Sequence, residues 1–147
     1  DRKGNTALMQ AVSDYDTNKE AIVEILLKNG SDVNAVDKNK RTALMKAIYE
    51  PKEPYPGVIE KLIANGAKLD LQDKDGATAL TYAVSVRKPD IVKLLLDNNA
   101  DAKLALSVKA KVKNSDGKYE EKTLKQIIKE SEREDVKELK SVLSKYL

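Results

Sequence analysis

An eight-residue phrase returns along the chain: DRKGNTAL begins at Asp1, DKNKRTAL at Asp37 and DKDGATAL at Asp73, a constant interval of 36 residues. A second phrase follows each one, as LLKNGSDVNA (26–35), LIANGAKLDL (62–71) and LLDNNADAK (95–103). Self-similarity at a period of roughly 20–50 residues means stacked units, none of which can bury its apolar face alone. The repeat also disposes of a metal reading of DKDG. With Gly76 at the sixth position of an EF-hand loop, Leu71 falls at the first and Tyr82 at the twelfth, and neither side chain can hold calcium.

Between the two phrases lie two apolar sets at helical spacing. They are Leu8, Met9, Val12 and Ile22, Val23, Ile25, Leu26 in the first unit; Leu44, Met45, Ile48 and Val58, Ile59, Leu62, Ile63 in the second; and Leu80, Ala83, Val84 and Ile91, Val92, Leu94, Leu95 in the third. Each unit therefore reads as a helix pair and a turn. Thr6, Thr42 and Thr78 stand where an N-cap hydroxyl accepts an orphan amide. Gly30, Gly66 and Asn99 stand where a left-handed residue ends the second helix. The segments SDYDTNKE and YEPKEPYPG are exposed loops between helices, and Pro89 suits a first helical turn.

After Lys103 the register breaks. VKAKVK alternates apolar and basic residues, NSDG is a turn signal and KYEEK follows, which predicts an extended β-hairpin over 106–122. Leu124, Ile127, Ile128, Val136, Leu139, Val142 and Leu143 then predict two short amphipathic helices with a charged outer face, as a terminal capping unit requires. The expected organisation is one domain: repeat 1 over 1–36, repeat 2 over 37–72, repeat 3 over 73–105, the hairpin insertion, and a cap over 123–147. Position one of a repeat at residue 1 leads to the expectation of further N-terminal chain covering Leu8, Val12 and Ile25.

The octet, the helix pair and the N-G-x-x-x-N/D tail together resemble the ankyrin repeat, with its D-x-x-G-x-T-P-L-H-x-A and L-L-x-x-G-A-D-V-N phrases. The resemblance covers residues 1 to about 103. It implies an all-α solenoid of stacked helix-turn-helix units, here with the β-hairpin near the C-terminus. Ala7, Ala43 and Ala79 replace the motif's proline, and Met9, Met45 and Thr81 replace its histidine, so a network built on that histidine is absent or replaced.

Composition narrows the chemistry. The chain has no His and no Cys, which removes imidazole bases, thiolates, disulfides and Cys/His zinc sites. No catalytic residues, no metal ligands and no cofactor are expected. Zero cysteines leave the compartment open; a cytoplasmic setting is favoured, and export with a removed signal also fits. No apolar run approaches the roughly 20 residues of a membrane span. The net charge of +3 interleaves both signs and lacks a basic stripe. Asn29-Gly30-Ser31 is a glycosylation pattern whose glycine is required by the helix stop, and Asp70, Asp73 and Asp75 read as turn caps.

By the resemblance, the turn tips and inner helices form a curved face that binds another protein. The matching tip positions are Arg2, Lys3 and Asn5; Lys38, Asn39 and Arg41; and Lys74, Asp75 and Ala77. Inner-helix ends and adjoining loops add Ser13, Asp14, Tyr15, Tyr49, Glu50, Ser85 and Arg87. Tyr15 and Tyr49 are the expected anchors, and the basic tips would steer an acidic partner. Two alternatives stand beside this: an arm docking on an N-terminal part of the same polypeptide, and a nucleic-acid binder using Lys109, Lys111 and Lys113. Nucleic acid is disfavoured because no aromatic lies among those lysines and Glu120 and Glu121 return opposite them. The chain is expected to be monomeric.

Overall fold

The computed structural model describes residues 4–14, 17–51, 53–113 and 116–147, apart from the side chains of 111–113 and 135. Three helix pairs come first: α1 (Ala7–Ser13) with α2 (Lys19–Lys28), α3 (Ala43–Tyr49) with α4 (Pro56–Ala64), and α5 (Ala79–Ser85) with α6 (Pro89–Asp97). A short α7 (Ala102–Leu106), the hairpin β1 (Lys109–Lys113) and β2 (Tyr119–Thr123), α8 (Leu124–Glu130) and α9 (Glu134–Leu143) complete the chain.

The repeated threonines start the inner helices. Thr6 Oγ1 accepts the Met9 amide at 3.2 Å, Thr42 Oγ1 that of Met45 at 3.3 Å and Thr78 Oγ1 that of Thr81 at 3.3 Å. Thr123 repeats the device for α8, accepting the Gln126 amide at 3.2 Å while Gln126 Oε1 takes the Thr123 amide at 2.8 Å. The outer helices α4 and α6 open on Pro56 and Pro89, whose missing amide costs nothing in a first turn. Pro56 thus belongs to the helix and not to the loop expected over YEPKEPYPG. Both α2 and α4 stop at a glycine of positive φ, Gly30 (81°) and Gly66 (86°); α6 stops at Asn99 (66°).

Inner helices pack on inner helices, α1 on α3, α3 on α5 and α5 on α7, while α2, α4, α6 and α9 form the outer row. Each layer shields its neighbour's apolar flank: Leu44, Ile48, Ile59, Leu62, Leu80, Leu95 and Leu143 are fully buried. Hydrogen bonds between layers hold the register. Asn34 Nδ2 donates to the Gly66 carbonyl (3.0 Å) while its Oδ1 accepts from the Lys68 amide (2.8 Å), and the Lys74 amide donates to the Asn39 carbonyl (3.0 Å) at the tips. Leu8 and Val12 are buried even at the first layer, whereas Ile25 is 59% exposed.

The structure departs from the sequence reading around residue 106. Residues 102–106 are helical, and the strands run over 109–113 and 119–123. Asp101 caps α7 by accepting the Leu104 amide at 3.0 Å, and Ala102, Ala105 and Leu106 are buried. It is therefore α7 that packs against α5, with α8 in contact with α7 and β2. At the position of the motif's histidine, where the network was expected to be absent or replaced, Thr81 Oγ1 accepts the Thr78 amide at 3.1 Å and donates to the Ala105 carbonyl at 3.2 Å. In the second unit Met45 Sδ stands in, 3.5 Å from the Thr42 nitrogen.

The hairpin is antiparallel, with Lys109 opposite Thr123 and Lys113 opposite Tyr119. It ends on the cap of α8 just as the isolated Val36–Thr42 bridge ends on the cap of α3. Lys109 Nζ lies 3.9 Å from Glu121 and Lys122 Nζ 3.0 Å from Glu120. These carboxylates offset the basic charge of the strands.

Candidate functional site

Where the turn tips overhang the inner helices, two grooves open side by side. The first, about 860 Å³, is lined by Asn5, Ser13, Lys38, Asn39, Arg41 and Glu50, together with Met9, Gln10, Asp37 and Lys46. The second, about 450 Å³, is lined by Asn39, Arg41, Tyr49, Lys74, Asp75, Ala77 and Ser85, together with Asp73, Thr81, Tyr82 and Val108. Asn39 and Arg41 belong to both, so the two run into each other.

Most of the residues anticipated from the sequence therefore converge. Asp14 does not: it borders an apolar hollow at the first layer with Ala7, Ala11, Ile22 and Leu26. Arg87 is exposed just beyond α5 with φ of 56°, and lines neither groove. Arg2, Lys3 and Tyr15 lie outside the described residues. Ala77 is only 8% exposed, and its amide donates to Asp73 Oδ1 at 2.9 Å. Ser85 turns its hydroxyl back onto the Thr81 carbonyl at 2.8 Å, whereas that of Ser13 lies between the Met9 carbonyl, 2.9 Å away, and Glu50.

The floor of the first groove is an ionic network that sequence reasoning did not find. Asp37 Oδ1 accepts the Asn39 and Arg41 amides at 2.8 and 2.9 Å, which builds the turn. Its Oδ2 takes Arg41 Nη2 at 3.0 Å and Lys46 Nζ at 3.3 Å, and Lys46 also reaches Glu50 Oε1 at 2.7 Å. Glu50 further accepts the Ser13 hydroxyl. Burial pushes the Asp37 carboxyl up, but the two amides and the Arg41 guanidinium outweigh it and hold it below the usual aspartate range. Glu50 behaves alike: burial raises it, and Lys46, Ser13 and Arg41 together bring it below its ordinary value.

The second groove differs in chemistry although it has the same backbone. Tyr82 occupies the position of Lys46, and its hydroxyl donates to Asp73 Oδ2 at 2.6 Å. Burial first, and then this bond to a carboxylate, push the Tyr82 phenol far up, so it stays a neutral donor. The ring of Tyr49, 53% exposed, tilts against that of Tyr82 with centroids 5.1 Å apart and planes at 52°. Tyr82 was missing from the sequence-based set because only the register between units puts it beside Tyr49.

The sequence profile of the ankyrin repeats matches residues 1–73 and 52–139, in three copies. The chain belongs to the ankyrin-repeat family. Ankyrin repeats are generally protein–protein interaction modules, and proteins built from them are typically scaffolds without catalytic activity. No protein of curated function matches the chain closely enough to serve as a relative. None of the described helices is long and apolar enough to cross a membrane. Among the described residues no cluster of three His, Cys, Asp or Glu could hold a metal ion.

Proposed function

We propose that this chain is a non-catalytic recognition module that binds a partner protein along the concave face, in the joined grooves between the turn tips and the inner helices. The continuity of the two grooves through Asn39 and Arg41 carries the reading. An extended surface with an exposed aromatic and a charged rim suits a protein segment better than an enclosed small molecule. Tyr49 supplies the anchor: it presents a large apolar face at small rotamer cost and keeps a hydroxyl to donate. Lys38 and Lys74, exposed on successive tips, would orient a partner carrying acidic groups and speed its approach. A specific complex on this face would bury about 1,200–2,000 Å² in total.

The test is capture from native lysate on the immobilised chain, with circular dichroism confirming that each variant is folded. Tyr49→Ala is expected to weaken retention by about tenfold or more, the effect of a hot-spot aromatic. K38E/K74E is expected to slow association, most visibly at low salt. Retention unchanged by both variants would rule out this face. Capture that survives them, yet falls steeply with salt and is abolished by nuclease, would favour nucleic acid instead.

A further inference from the structure

The two grooves are copies of one another displaced by one unit, and the copies are filled differently. In the first, the Asp37 carboxylate, 2% exposed at its side chain, is met by the chain's own cations, Arg41 at 3.0 Å and Lys46 at 3.3 Å. A 36-residue shift along the sequence carries Asp37 to Asp73, Arg41 to Ala77 and Lys46 to Tyr82. Asp73 is as withdrawn as Asp37, each 6% exposed as a whole residue, and receives the Asp75 and Ala77 amides and the Tyr82 hydroxyl. All three donors are neutral, and among the described residues Asp73 makes no ion pair. Alanine at 77 carries no side chain that could reach Asp73 as Arg41 reaches Asp37, and Asp73 and Ala77 both line the second groove.

We propose that the second groove receives an arginine side chain of the partner protein, its guanidinium taking at Asp73 the place that Arg41 takes at Asp37. This rests on the reading of the concave face as the contact surface, and it names what that surface selects. The walls suit such a guest. Tyr49 and Tyr82 offer ring faces for a guanidinium to lie against, and Asp75, exposed on the tip, adds a second carboxylate at the entrance. Arg41 also borders the groove, but its own charge is held by Asp37, with Glu50 3.9 Å away. Lys74 on the rim is exposed, so solvent screens its charge, and the basic tips can meet acidic groups elsewhere on the same partner.

The probes are N-acetyl-arginine amide and its uncharged isostere N-acetyl-citrulline amide, titrated into the ¹⁵N-labelled full chain and followed by amide shifts. The arginine probe is expected to move the amides of Tyr49, Asp75, Ala77 and Tyr82, and to bind about tenfold more tightly than citrulline, as charge-assisted bonding requires. Asp75→Asn should weaken it severalfold, and Ala77→Arg, which restores the residue of the preceding unit, should abolish it. Equal response to both probes, shifts confined to the Gln10 and Ser13 side, or binding unaffected by Asp75→Asn would each overturn the assignment. If Ala77→Arg fails to fold, Asp75→Asn and the citrulline comparison still decide. Failure of the arginine probe while Tyr49→Ala still impairs capture would remove this inference alone; capture indifferent to the concave variants would remove the underlying reading.

Discussion

Leu80→Ala is expected to destabilise the chain by about 2–5 kcal/mol, a large part of the roughly 5–15 kcal/mol that holds a domain of this size together. Leu80 has no exposed surface and lies on α5, the inner helix that packs against α3 on one side and α7 on the other. A cavity there loosens two interfaces at once. Stacked units derive their stability from contacts between neighbours, so damage at a middle layer uncouples what lies on either side of it. Urea unfolding monitored by circular dichroism measures the loss. A cost below about 1 kcal/mol would mean that α5 is not sealed between its neighbours.

The second large effect is expected at Asp37. Asp37→Ala removes the acceptor of two turn amides and one of the two carboxylates that hold Lys46, 4% exposed, so a loss of about 1–3 kcal/mol follows. Acid dependence reports on the same group. The folded-state pKa values of Asp37 and Glu50 lie below their ordinary values of 3.8 and 4.5. The stability they contribute is therefore complete above those ordinary values and is withdrawn as pH falls through the depressed folded ones. The native chain should weaken below about pH 4, and Asp37→Ala should show a shallower decline there. A variant as stable as the parent at pH 7, or one with the parent's full acid decline, would show that the network contributes little.

Much of this architecture is legible from residue order because its devices are local. The threonine caps, Pro89 at its first turn and the glycines at the helix stops each act within about four residues, so their spacing reveals them, whereas Pro56 is hidden among the prolines of its loop. The apolar sets repeat with the helical period, and the pairing of helices follows from it. The hairpin was visible as alternation around a turn. Helix α7 escaped because its cap is Asp101 where the earlier units use threonine, and because five residues give too little periodicity to notice. In hindsight Asp101 followed by Ala102, Ala105 and Leu106 carries the signal.

The site was legible in outline only. Tip residues such as Lys38, Asn39, Lys74 and Asp75 could be chosen from their place in the phrase, and the structure gathers them around the grooves. What each groove contains depends on which side chains meet across layers, and linear spacing does not report that. Lys46 stands outside the apolar set of its helix, and it is enclosed by Asp37 and Glu50. Tyr82, which no phrase marks, closes over Asp73 and supports Tyr49. The 36-residue shift pairs Lys46 with Tyr82 and Arg41 with Ala77, but that these positions meet an aspartate beneath the tips follows only from the contacts across the turn.

The central claim is that partner contact runs along the inner, tip-facing side of the stack. Site-specific photocrosslinking tests it most directly, with a benzophenone side chain placed in turn at Ser85, on the second groove, and at Lys93, exposed on outer helix α6. The account predicts a discrete adduct with a partner protein from position 85, competed away by unlabelled chain, and none from position 93. The same adduct forming from position 93 and not from position 85 would contradict it.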